Sequence, residues 1–236
     1  MHERYFAPTG VIVVLVMSVV FLFETHALHA QPSTDFVPVT DATLQNPDPA
    51  DWLMWRRTLN GWGYSPLDQI TKENVRDLRL VWSRGLRAGS QQGTPLVYNG
   101  VMYMPNPGDV IQALDATTGD LRWEHRREQP DDLGEFMAGL AQINRNIAIY
   151  DQAIIDTSAD DYVFALDAQS GRLLWETQIL DYRQLPAHQS SGPIVADGKI
   201  ISGRGCMPRS GPDACVVTAH DAVSGEAVAI EPWRVL

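Results

Sequence analysis

Two stretches of the chain repeat one another. Ala113-Leu114-Asp115-Ala116-Thr117-Thr118-Gly119 leads to Trp123-Glu124, and Ala165-Leu166-Asp167-Ala168-Gln169-Ser170-Gly171 leads to Trp175-Glu176. The two tryptophans are 52 positions apart, and a third copy, Ala219-His220-Asp221-Ala222-Val223-Ser224-Gly225-Glu226, begins 54 residues after Ala165. A fixed period of this length means that one supersecondary unit is copied and stacked. Each copy opens with apolar alternation, passes through an Asp-x-x-Thr/Ser-Gly turn and resumes as a strand, which in the first two copies carries a Trp. The turn has a mechanism: the Asp side chain can accept from backbone N–H groups two residues on, and the Gly can take positive φ. The Trp is large enough to bridge to a neighbouring unit and needs a partner for its ring N–H.

A second strand pair precedes these turns. Gly93-Thr94-Pro95-Leu96-Val97-Tyr98-Asn99-Gly100-Val101-Met102-Tyr103-Met104 and Ser191-Gly192-Pro193-Ile194-Val195-Ala196-Asp197-Gly198-Lys199-Ile200-Ile201 place Asn-Gly and Asp-Gly between alternating apolar runs, a strong two-residue hairpin signal. Four strands per repeat suit a β-propeller blade. A parallel β-helix is the rival architecture, but its coils are shorter, and no segment after residue 80 sustains helical periodicity. The expected fold is all-β, a partial propeller of about three four-stranded blades.

The N-terminus is organised differently. Val11 to Phe23 is almost uninterruptedly apolar, follows Arg4 and precedes Leu28-His29-Ala30. It is short for a membrane span, which takes roughly 20 residues, and matches a secretory signal, giving residues 1–30 as a signal peptide cleaved after Ala30. An uncleaved anchor is the alternative, and it is the only membrane association the sequence suggests. Either way the body is exported, which predicts a periplasmic protein. Residues 31–50, rich in Pro, Asp and Thr, read as a poorly ordered lead-in. Residues 51–236 form the propeller part.

Export gives the cysteines meaning. Cys206 and Cys215 are the only two, and in an oxidising compartment they could close a short disulfide across a turn-rich segment; two unpaired thiols are the alternative. There is no Cys-x-x-Cys motif. The formal net charge of −11 argues against a nucleic-acid partner, which would need a basic face. The run Glu124-His125-Arg126-Arg127 reads as a solvated strand end.

Between lead-in and repeats, Trp52 to Pro66 is dense in aromatic residues, and Ile70-Thr71-Lys72-Glu73-Asn74-Val75-Arg76-Asp77-Leu78 predicts a short helix capped by Thr71. The Trp-rich segment ending in Tyr64-Ser65-Pro66, the Ile-Thr-x-x-Asn-Val-x-x-Leu step leading to Trp82, the Gly-Thr-Pro-Leu-Val strand and the Asp-x-x-Thr/Ser-Gly repeats together resemble the N-terminal part of the quinoprotein alcohol dehydrogenases. The resemblance runs from about residue 51 to residue 226. It implies an eight-bladed propeller holding pyrroloquinoline quinone (PQQ) and calcium, alcohol as substrate, and electrons passing to a cytochrome c or a quinone.

Residue by residue, the resemblance implies three cofactor-binding positions. Gln92 takes the place of a Glu that commonly faces the quinone, Arg145 in Asn144-Arg145-Asn146 that of an Arg on the cofactor's carboxylate side, and Ser190 that of a hydroxyl residue binding the quinone. Gly139-Leu140 stand where many members carry adjacent cysteines. The calcium-ligating Glu has no counterpart in Gly205-Cys206-Met207-Pro208, which leaves Asp213 as the nearest carboxylate and the candidate metal ligand. No catalytic residue is assigned, because the family's catalytic Asp belongs to later blades.

The third copy has Ala229 where the period calls for Trp, and the repeat fades before Leu236. The expectation is therefore a truncated product with little or no alcohol oxidation of its own. The competing readings are a cofactor-free propeller scaffold and an exported binding module.

Overall fold

Three four-stranded antiparallel sheets account for most of the regular structure in the computed structural model, which describes residues 36–137, 143–188, 191–206 and 210–232. The predicted signal segment, Gly139-Leu140 and Ser190 lie outside the described residues. The first sheet holds β1 (Leu96–Tyr98), β2 (Val101–Asn106), β3 (Val110–Asp115) and β4 (Leu121–Arg126) in that order. The second repeats it with β5 (Ala148–Tyr150), β6 (Ala153–Thr157), β7 (Tyr162–Asp167) and β8 (Leu173–Gln178). Next along the chain come β9 (Ala187–His188), β10 (Ile194–Ala196), β11 (Lys199–Gly203), β12 (Gly205–Cys206), β13 (Val216–Asp221) and β14 (Ala227–Pro232). Of these, β10, β11, β13 and β14 form the third sheet, and β9 pairs with β12.

The turns behave as their residues dictate. Asp115 Oδ1 accepts from the backbone N–H groups of Thr117 and Thr118 at 2.9 and 3.1 Å, and Asp221 Oδ1 from those of Val223 and Ser224 at 3.1 and 3.0 Å. Asp167 Oδ1 accepts from Ser170 at 2.8 Å. The turn glycines Gly119, Gly171 and Gly225 have φ of 76°, 72° and 75°, where an L side chain is strained. A register shift recurs one residue into each turn hairpin, at Ala113/Leu114, Ala165/Leu166 and Ala219/His220.

Those glycines also explain how the sheets stack. A Cβ on Gly119 would lie 2.6 Å from Trp82, one on Gly171 2.5 Å from Trp123, and one on Gly225 2.4 Å from Trp175. Each Trp thus lies flat on the turn of the next repeat. The ring N–H groups of Trp82 and Trp123 donate to the carbonyls of Ala116 and Ala168 in the same turns, at 3.2 and 2.9 Å. Two positions after Trp175, the Thr177 hydroxyl donates to the Gly225 carbonyl at 2.8 Å. Trp82 belongs to none of the three sheets, yet it docks on Gly119 as the strand tryptophans dock on theirs.

Burial follows from this stacking. In the second sheet β6 is buried throughout and β7 except at its ends, while the outer strand β8 is largely exposed; β11 and β13 of the third sheet alternate between buried and partly exposed. Polar staples reinforce the stack. Arg127 clasps Asp160 through Nε and Nη2 at 3.0 and 2.9 Å, and Arg204 Nε reaches Asp161 Oδ1 at 2.9 Å with both side chains fully buried. One turn of the second sheet therefore holds an arginine from each neighbouring sheet.

Several expectations need correction. Arg127 is no solvated strand end: its side chain is 12% exposed and its guanidinium also covers the rings of Tyr162 and Phe164, because the adjacent turn supplies its counter-charge. In the expected lead-in, Thr40 caps the helix α1 (Asp41–Gln45), Val39 bridges to Asp151, and Val39 and Leu44 are buried. Two apolar anchors within six residues outweigh a polar composition. The helix expected over 71–78 reduces to one 3-10 turn, Val75–Asp77, with Asn74 Oδ1 accepting the Thr71 N–H at 2.7 Å. The third sheet forms its outer strand, β14, although Ala229 stands where Trp was expected.

Replacing Gly171 by Ala is expected to destabilise the protein by about 2–4 kcal/mol, from positive-φ strain plus displacement of the Trp123 ring. Gly100→Ala, where φ is 73° but nothing lies within 4 Å of the added Cβ, is expected to cost only about 1 kcal/mol. Urea denaturation of both variants checks the difference.

Candidate functional site

The segments leading into β1, β5 and β10 lie side by side. Thr94 pairs with Asn146 as a parallel bridge, and the Thr94 N–H donates to the Arg145 carbonyl at 2.7 Å. Asn146 Nδ2 then donates to the Pro193 carbonyl at 3.2 Å. Gly192 packs so closely on this segment that a Cβ would fall 1.8 Å from the Asn146 carbonyl oxygen, so only glycine fits. Equivalent points of three repeats are thereby drawn into one place.

Between them opens a cavity of about 510 Å³, within the size range of small-molecule sites. Gln92, Thr94, Arg145, Asn146, Ser191 and Ser202 supply its polar groups, and Trp55, Ile194, Ile201 and Val217 its apolar surface. Arg145 Nε donates to Gln92 Oε1 at 2.8 Å, across 53 positions of sequence. That bond fixes the plane of a guanidinium whose fork suits a planar carboxylate. Gln92 and Arg145, singled out separately from the sequence, thus form one unit. Ser190 lies outside the described residues, and its neighbour Ser191 lines the cavity.

Buried carboxylates stand behind this wall. Asn144, next to Arg145, donates to Asp156 Oδ2 at 2.6 Å. Burial, and then the neighbouring Asp109, push the Asp156 pKa well above the ordinary carboxylate range. Asp109, which accepts from the Ala159 N–H and from Gln129 at 3.0 Å each, is raised to about 6, chiefly by burial. Asp161 is raised to about 7 by burial, with Arg204 opposing the rise. These acids escaped the sequence reading because no motif carries them. Their only sequence signal was the pair of adjacent aspartates, Asp160-Asp161, in a hairpin turn.

Asp213, the expected metal ligand, is not among the described residues that line the cavity. Asp213 is exposed on a 3-10 turn, Pro212–Ala214. Among the described residues no group of three or more His, Cys, Asp or Glu side chains is placed to hold a metal ion. Calcium needs several oxygen ligands, carboxylates foremost, and the described cavity lining offers carboxamide and hydroxyl oxygens without a carboxylate. The donor set fits an organic anion better, with one guanidinium fork, two carboxamides, hydroxyls and an apolar side.

Sheets repeated about every 50 residues and locked by Trp-on-Gly contacts are β-propeller blades. Residues 52–229 match the family model for the PQQ glucose/ethanol/alcohol dehydrogenase β-propeller domain. The chain belongs to that family. It is 35% identical over 163 residues to the dehydrogenase subunit of a quinone-type alcohol dehydrogenase from Gluconobacter oxydans, covering 66% of this chain and 21% of that protein. A cytochrome c-linked 1-butanol dehydrogenase from Thauera butanivorans is 36% identical over 146 residues, 61% of this chain and 21% of that one. Among solved structures, a quinohemoprotein alcohol dehydrogenase from Pseudomonas putida superposes with a TM-score of 0.72 at 29% identity, over 84% of this chain and 29% of that one. A europium-containing methanol dehydrogenase also scores 0.72, at 26% identity, over 82% of this chain and 34% of that one. The chain spans about a fifth of the length of these two curated relatives.

The raised Asp109 pKa predicts a pH signature. The folded state holds the proton more tightly than the unfolded chain, so this contribution is complete below about pH 4 and is lost as pH rises through 6. His220 works the other way: burial, and then Arg204, lower its pKa, so its contribution is lost as pH falls. A comparison with Asp109→Asn cancels His220 and reads Asp109 together with its coupling to Asp156. Between pH 4 and 6.5 the wild type is expected to lose up to about 3 kcal/mol relative to that variant, read by urea denaturation at each pH.

Proposed function

We propose that this chain forms the PQQ-binding part of an alcohol dehydrogenase, with the cofactor's carboxylates held by Arg145. The observation that carries the reading is the Arg145–Gln92 pair lining a cavity of about 510 Å³. Thr94, Asn146 and Ser191 supply further donors and acceptors, and the apolar side excludes water from one face of the ligand. When bound, the quinone supplies the two-electron acceptor for alcohol oxidation. The chain's own residues orient it: Gln92 fixes the guanidinium, and the backbone bond from Thr94 to Arg145 fixes the segment that carries it.

The substrate is an alcohol and the electron acceptor a cytochrome c, by likeness to the quinone-type and cytochrome c-linked relatives. Turnover needs a base for the alcohol proton. The described residues lining the cavity are an arginine, carboxamides, hydroxyls, glycines and apolar side chains, and the reading proposed for this polypeptide is cofactor binding, with the proton acceptor left unassigned. Export to the periplasm, with residues 1–30 as signal peptide, rests on the N-terminal apolar run. Among the described residues no helix is long and apolar enough to cross a membrane. A Cys206–Cys215 disulfide fits that compartment, and no free thiol occurs among the described residues.

Equilibrium dialysis against PQQ tests the reading. The chain is expected to bind saturably, and Arg145→Ala to weaken binding by about 10- to 100-fold, the worth of a charge-assisted bidentate pair. Absence of saturable binding would instead favour a cofactor-free scaffold. With quinone and calcium added, dye-linked ethanol oxidation by this polypeptide is expected to stay at the blank rate. Measurable turnover would show that the proton acceptor lies within it.

A further inference from the structure

The aromatic-rich segment from Trp52 to Pro66 adds no strand to the three sheets beyond a single bridge at Trp52, and one of its residues reaches the cavity. Trp52 exchanges backbone hydrogen bonds with Val97 on β1, at 2.8 and 2.9 Å, and Leu53 is buried beside it. The Arg57 N–H donates to the Met54 carbonyl at 2.9 Å, closing a tight turn, while the Arg57 guanidinium holds the carbonyls of Pro47 and Asp48. Trp55 is carried on this pinned turn, and the Arg56 guanidinium lies over its ring at 4.5 Å. It lines the cavity together with Gln92 and Arg145, yet 44% of it remains exposed.

We infer that Trp55 is the aromatic wall against which a planar, conjugated anion stacks in this cavity, while Arg145 holds the anion's carboxylate. The inference rests on the proposed binding of PQQ and adds a residue that no motif assigned. Of the described cavity-lining residues Trp55 is the one aromatic; the others are amides, hydroxyls, glycines, an arginine and branched aliphatics. A flat conjugated ring gains most from a flat apolar face of matching size, and indole is the largest available. Ile194, Ile201 and Val217 add apolar surface without a ring. A guanidinium already over one face of Trp55 restrains the ring, which lowers the ordering cost when a ligand meets it.

The test uses the whole chain and PQQ itself, with affinity from equilibrium dialysis and stacking from indole fluorescence. Trp55→Ala is expected to bind PQQ about tenfold more weakly, the usual scale of one lost aromatic stack. Trp55→Phe keeps a smaller ring and is expected to stay within about threefold of wild type, while losing the largest single share of the ligand-induced quenching. Circular dichroism and the melting temperature of both variants verify folding, and Trp55→Phe carries the test if the alanine variant unfolds. Wild-type affinity in Trp55→Ala, or unchanged quenching in Trp55→Phe, with binding still lost in Arg145→Ala, overturns the Trp55 inference and leaves the cofactor reading standing. Absence of PQQ binding by the wild-type chain overturns both.

Discussion

The structure depends on a ring laid flat on a glycine. Trp82, Trp123 and Trp175 each cover the turn glycine of the following repeat so closely that no Cβ fits beneath them. The contact selects two residues at once. The Trp must be large enough to cross from one sheet to the next, and the Gly must offer both positive φ and a bare backbone face. Where the ring N–H also finds a turn carbonyl, as at Ala116 and Ala168, the indole carries no unsatisfied donor into the stack. Sheet-to-sheet spacing is then set by the thickness of a ring, and every other inter-sheet contact inherits that distance.

The arginine staples depend on that spacing. Arg127 and Arg204 approach one turn of the second sheet from opposite sides and find adjacent aspartates, Asp160 and Asp161. Burying such pairs is costly in desolvation and adds little net stability over an apolar pair, but breaking one leaves a buried charge alone. Burial raises the pKa of the acids nearby, that of Asp109 to about 6 and that of Asp156 well above the ordinary carboxylate range, and Asp156 takes a hydrogen bond from the residue preceding Arg145. The cavity wall is thus backed by groups whose charge depends on pH.

Much of the fold was legible because the signals are local. Asp-x-x-Thr/Ser-Gly writes its turn within five residues, and Asn99-Gly100 and Asp197-Gly198 write their hairpins in two, each with both residues at positive φ. Harder positions were those whose structure depends on a distant partner. Residues 31–50 read as poorly ordered because their composition is polar, yet within them Val39 and Leu44 are buried in the core shared with strands far along the chain. Arg127 looked solvated because its aspartate lies 33 positions away.

The amino-acid sequence by itself determined the repeat, the four-strand unit, the turn chemistry and the tryptophans that join one unit to the next, since each of these is a rule operating over a few residues or at a fixed period. Only the tertiary structure decided that Gln92 and Arg145 touch, that Trp55 joins them around a cavity, and that Asp213 stays out on an exposed turn. The reason is distance along the chain: residues 53 positions apart meet at 2.8 Å only because stacked sheets bring equivalent points of successive repeats together, and no local propensity records which side chains will then face one another.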